Sequence, residues 1–330
     1  MSDLASQTRF AVLGDAWVRF WFPATTAVPL AVCRLVLVPA WMLFFAGSPD
    51  DFAVALAYDP ARIDQALIRF ILLLVPVEVF HTEQFLRGVW LAATAAGVLA
   101  TVGLFTRTAL LTLGLGYCIL IAHLYSYGEL HHPEAPYCIA LVLLGLSPCG
   151  RCYSVDSWLG RRSKHPDRWG PEARMDTATW ALRLIQCLLG LAYFSSGSAK
   201  LLDGGLAWMN GATLQQMVLT DYVRHGMPAG LWLAQNFWLC VAASVVTIAV
   251  EVFFFVAVFV GGARKYLLAT GAALHVGIYL TMAAPFFTWV ALYMAFVDVE
   301  SLRRRLVGSR TVPAQPGERS APRLLAGAGR

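Results

Sequence analysis

Long apolar runs separated by short polar breaks set the plan of this chain. Runs at about 26–46, 86–105, 108–127, 136–148, 176–199, 230–260, 266–283 and 286–300 predict helices that cross a membrane. The run at 230–260 is long enough to be tilted or broken. Residues 66–80 are also apolar, but they are few and contain Pro76, which predicts an interfacial or re-entrant segment. Before the first run, residues 7–22 place aromatic side chains with Arg and Asp at helical spacing, the pattern of an amphipathic helix lying on a membrane surface. Residues 48–65 and 200–228 read as loops. The fold expected is all-α: a polytopic integral membrane helix bundle of about eight spans with an N-terminal interfacial helix. It divides into an interfacial segment 1–25, a membrane domain 26–305 and a disordered basic cytoplasmic tail 306–330.

Composition strengthens that reading. Of 330 residues, 58% are hydrophobic and 14% charged, against about 45–50% and about 25% in soluble domains. The net charge of +5 sits in loops and tail, so it speaks to membrane orientation and not to nucleic acid. Arg107, the loop 149–174, Arg264 with Lys265, and Arg303 to Arg305 all fall on one side, which the positive-inside rule makes cytoplasmic. Both termini are then cytoplasmic, and His131, His132 and Lys200 share the outer face. The first 25 residues show no unbroken apolar stretch ending in a cleavage site, so no cleavable signal peptide is expected. Seven cysteines, mostly inside apolar runs, suit buried small hydrophobes better than a disulfide framework. Cys149 and Cys152 have redox spacing without the strand–helix context that makes it meaningful.

Polar residues inside apolar runs are the candidates for chemistry, because hydrocarbon penalises them. Arg34 lies in the first run, where a carboxylate or carbonyl partner is expected, and Glu251 in the sixth, for which Arg34 is the obvious structural partner. Lys200 is one of three lysines and stands where span five should meet water. It reads as a snorkelling side chain or, if burial lowers its pKa, as a base. Gly190, Tyr193, Gly197 and Lys200 recur on one helix face, whose small residues admit a neighbouring helix or a flat ligand. Trp208 suits an interfacial anchor. His131 and His132 precede span four and His275 lies in span seven. Adjacent histidines on an extended loop point apart, so no metal clip is expected there.

In order, these features are an Arg in the first span, His before the fourth, Ser154-Val155-Asp156, then YF-x-x-G-x-x-K-L-x-D from Tyr193. Trp208, Gly211, Glu251 and the His275-x-x-x-x-x-Thr281 pattern follow. The order and spacing resemble the horizontally transferred transmembrane (HTTM) domain family over about residues 26–300. The best-known member is the vitamin K-dependent gamma-glutamyl carboxylase. The resemblance implies that Lys200 is a base on a reduced quinone, and that His132 or His131 steadies the resulting anion. It further implies that Arg34, Tyr193, Gly197, Trp208, Glu251 and His275 surround the cofactor. Dioxygen and carbon dioxide are implied co-reactants, with no metal, and an extracytoplasmic peptide or partner subunit is the implied second substrate. A quinol-linked, carboxylase-like lyase or epoxidase activity is therefore the leading expectation. A non-enzymatic membrane module for a lipid or small solute is the alternative, with Lys200, Arg34 and Glu251 as a charge network. A haem protein using His123, His132 or His275 is a third.

Overall fold

A computed structural model describes residues 14–64, 66–127, 133–175 and 177–307. Two compact units divide the chain, Met1–Val297 and Asp298–Arg330. In the second, the described part is one helix, Val299–Val307, carrying Arg303, Arg304 and Arg305. The expected disordered tail beyond residue 307, and most of the interfacial segment before residue 14, lie outside the described residues.

The first unit is helical. Residues 14–21 form a largely exposed helix, as the amphipathic pattern predicts. Helix α1 (Val28–Ala40) starts with a proline in its first turn, where no intrahelical N–H is needed. Pro39 removes a donor near its end, and residues Trp41–Phe45 continue in the wider π geometry. Short helices Pro49–Ala53, Ala66–Ile71 and Val77–Phe80 follow, the last beginning directly after Pro76. Helices α2 (Glu83–Val102) and α3 (Thr106–Leu124) form a hairpin through Gly103, which is left-handed. Helix α4 (Ala135–Leu146) packs against α3 at Gly114, where a Cβ would stand 2.9 Å from the Val142 nitrogen. Helix α5 (Val155–Gly160) leads through a basic loop to α6 (Trp180–Gly204). Strand residues Thr25 and Thr26 pair antiparallel with Met175 and Arg174, a contact the apolar pattern does not foretell.

The stretch 200–228, expected as a loop, is instead ordered. Helix α6 runs on to Gly204, a 3₁₀ segment covers Gly205–Asn210, and α7 (Ala212–His225) and α8 (Pro228–Gln235) follow. The glycines and polar residues that suggest a loop mark helix ends: Gly205, Gly211 and Gly226 have positive φ. The long apolar run at 230–260 is broken, with α8 and α9 (Phe237–Phe253) meeting at 104° around Asn236. Helix α10 (Gly261–Met282) comes next. Helix α11 (Phe287–Leu292) then passes into a 3₁₀ turn, Tyr293–Phe296.

Among the described residues, three helices are long and apolar enough to cross a membrane: Val28–Phe45, Glu83–Val102 and Thr106–Tyr127. The bent pair α8 and α9 makes a fourth. Helix α6 is longer than any of them at 25 residues, but Arg183, Gln186, Ser196 and Lys200 dilute its hydropathy. Helix α4 and the segment Phe287–Phe296 are apolar but short.

Candidate functional site

Helices α6 and α9 touch through a glycine. A Cβ on Gly197 would stand 2.9 Å from the Glu251 Cβ and 3.1 Å from the Val252 nitrogen, so only glycine allows this approach. One turn further on, Lys200 reaches back to α9. Its Nζ donates to both Glu251 oxygens at 2.8 Å and to Ser196 Oγ at 2.8 Å, while Ser196 Oγ donates to Glu251 Oε1 at 3.2 Å. The Lys200 side chain is 25% exposed and that of Glu251 10%. Trp208 lies on the other side, its ring centre 5.5 Å from Nζ, a cation–π distance. The contact is that of a lysine–carboxylate pair across two helices.

Two turns down the same face of α6, Tyr193 is buried and stacks on Phe254 with ring centres 4.0 Å apart. Its hydroxyl lies 2.5 Å from both His275 Nε2 and the Tyr293 hydroxyl. Gly271 makes room for this cluster: a Cβ there would stand 3.0 Å from Phe254 and 3.4 Å from the Tyr193 hydroxyl. Gly211, left-handed with φ +85°, packs on the α9 backbone at Val241. The structure therefore brings together Lys200, Glu251, Gly197 and Trp208, with Tyr193 two turns away on α6 and His275 reaching Tyr193 from α10.

Arg34 belongs elsewhere, and its expected pairing with Glu251 is corrected. The fully buried guanidinium donates to the Ala100 and Thr101 carbonyls at the end of α2, at 2.8 and 3.1 Å, and to the Tyr153 carbonyl. Asp156 completes the arrangement by accepting from the Phe105 and Thr106 nitrogens at 3.0 and 2.7 Å and from the Thr106 hydroxyl at 2.7 Å. Arg34 and the Ser154-Val155-Asp156 segment thus satisfy opposite ends of the α2–α3 turn, carbonyls by the cation and N–H groups by the carboxylate. The charge network of Lys200, Arg34 and Glu251 does not form, because both terminal nitrogens of Arg34 donate to carbonyls at this turn.

His131 and His132 lie outside the described residues. The two described haem candidates are each taken up locally, His275 by Tyr193 and His123 by His81. No disulfide links Cys149 to Cys152; both are buried, and burial pushes the Cys149 thiol up to about 11. Ser196, Tyr293 and His81 are absent from the sequence reading. Ser196 was findable, since it precedes Lys200 by one helical turn. Tyr293 and His81 meet their partners only through tertiary folding.

No curated protein and no solved structure matches the chain. A family model for the HTTM domain matches residues 25–300, the span that carries the Lys200–Glu251 contact and the Arg34 turn. The protein is a helical membrane protein of the HTTM domain family.

Proposed function

We propose that Lys200, Glu251 and Ser196 form the catalytic centre of a membrane enzyme that deprotonates a lipid-soluble reduced quinone. The domain would cross the bilayer about eight times with both termini cytoplasmic, following the apolar runs and the arginine-rich loops. The observation that carries this reading is the contact of Nζ with both Glu251 oxygens and Ser196 in a partly open setting. The donor set suits a phenol. A protonatable nitrogen is reachable, a carboxylate stands beside it to exchange a proton, and Trp208 offers a flat face. When bound, a reduced quinone supplies an acidic ring hydroxyl and the electrons for chemistry with dioxygen and carbon dioxide on a second substrate.

To act as a base, Lys200 must first give up a proton. Transfer along the 2.8 Å hydrogen bond to Glu251 would leave a neutral amine beside a neutral acid, which a low-dielectric interior favours over separated charges. The amine would then accept the ring proton at Nζ, with Ser196 fixing its direction. His131 or His132 keeps the proposed role of donating to the developing oxyanion. An extracytoplasmic peptide or partner subunit would be the second substrate, and membrane lipids surround the helices. The test is oxygen uptake driven by reduced quinone with the purified protein. Uptake in wild type that is lost in Lys200→Ala supports the proposal. No uptake in wild type, or equal uptake in the variant, overturns it.

A second reading has an observation of its own: the ion pair ties α6 to α9, as expected of a non-enzymatic binding or transport module. In that case Lys200→Ala lowers folding yield or ligand retention and there is no turnover to lose.

A further inference from the structure

A second polar cluster lies on different elements. His81 follows the short helix Val77–Phe80, His123 lies in the last turn of α3, and Tyr127 in the 3₁₀ turn Tyr125–Tyr127. His81 Nδ1 stands 3.2 Å from His123 Nε2 and 3.2 Å from the Tyr127 hydroxyl. His123 is fully buried. Aromatic walls close the site: Phe80 meets His123 at 5.1 Å and Tyr58 stacks on Tyr127 at 5.0 Å.

Hydrogen bonding alone does not satisfy these groups. A neutral imidazole nitrogen has one proton or one lone pair, yet His81 Nδ1 faces two partners at the same distance. If either histidine donates to the other, its partner's proton moves to an outer nitrogen. Both outer nitrogens, His81 Nε2 and His123 Nδ1, are buried without a hydrogen-bond partner among the described residues. The tautomers that put both protons on these outer nitrogens turn the two inner lone pairs toward each other, a repulsion that a cation held between them relieves. The separation has a second meaning. Two nitrogens bound tetrahedrally to one ion at about 2.0–2.1 Å lie about 3.3 Å apart, close to the 3.2 Å between the rings. Among the described residues no three His, Cys, Asp or Glu side chains assemble a metal site. Here the third donor is a phenol.

We propose that His81 Nδ1, His123 Nε2 and the Tyr127 oxygen bind one divalent first-row transition-metal ion of the zinc and copper class. Imidazole suits these ions, the Tyr127 phenol gives up its proton to solvent as the ion binds, and three protein ligands leave a tetrahedral position for water or an exogenous donor. The site is separate from the Lys200 centre and does not rest on quinone chemistry.

The experiment uses the full chain, purified in detergent through a tag without histidine, stripped with chelator and reloaded with Zn²⁺ or Co²⁺ alone. The expected result is about one ion per chain by elemental analysis and the intense visible absorption of tetrahedral Co²⁺. His123→Ala and Tyr127→Phe should each weaken binding at least about tenfold, whereas the exposed His225→Ala should not. Tyr127→Phe keeps the ring that stacks on Tyr58, so it separates loss of the ligand from loss of the fold. The proposal is overturned if monodisperse wild type binds no stoichiometric ion, or if His123→Ala and Tyr127→Phe bind it as tightly as wild type.

Discussion

Lys200 and Glu251 face each other from two helices, the ammonium nitrogen 2.8 Å from each carboxylate oxygen. Removing one partner strands the other in a largely buried position. Glu251→Leu or Lys200→Met alone should cost about 3–5 kcal/mol, less any relief from water reaching the partly exposed Lys200. The double variant should recover most of that stability. Thermal unfolding of the four proteins in detergent gives the cycle, and a double variant as unstable as the sum of the singles would refute pairing.

Gly197 brings α6 onto the Glu251 backbone, so Gly197→Ala tests the approach directly. Its methyl group would press on the Glu251 Cβ and the Val252 nitrogen. Because backbone cannot move aside cheaply, a loss of about 1–3 kcal/mol is expected. An unchanged melting temperature would show that the helices have room to spare.

Tyr193 bridges His275 and Tyr293 through one hydroxyl. Tyr193→Phe keeps the stack on Phe254 and deletes only the bridge, leaving two buried polar groups without it. The expected cost is about 1–3 kcal/mol. Tyr293→Phe should cost less, because the Tyr193–His275 contact survives. Equal effects by chemical denaturation would contradict this ordering.

Membrane orientation is open to labelling. Leu206, 76% exposed in the 3₁₀ segment after α6, should react as Leu206→Cys with a membrane-impermeant maleimide on intact cells. Arg161→Cys, in the basic loop after α5, should react only after permeabilisation. The reverse pattern would invert the topology and move the Lys200 centre to the other face.

The helical membrane character was legible because hydropathy acts on every residue and needs no tertiary knowledge. The hairpin of α7 and α8 was not. Its glycines and polar residues look like loop until their positions as helix caps are known. For the site, Gly197 and Lys200 declared themselves by spacing within one helix. The partner of Lys200 did not, because on paper Glu251 can pair with either of two cations, Arg34 or Lys200. The α2–α3 turn decided the matter by consuming Arg34 on backbone carbonyls. His81 escaped notice because it falls in a segment with no helical period to mark it.

The Arg34 guanidinium donates to three carbonyls, and lysine has no planar fork to replace it. In a mutational scan of this protein, Arg34 and Asp156 should therefore score as severely as Lys200 while reporting on something else. Their variants should vanish from the membrane fraction, whereas Lys200→Arg, which keeps a cation beside Glu251, should leave protein in place and, if the proposed function holds, silent. Ranking positions by lost phenotype alone would merge the two groups, and only abundance measured beside activity separates a hinge of assembly from a seat of chemistry.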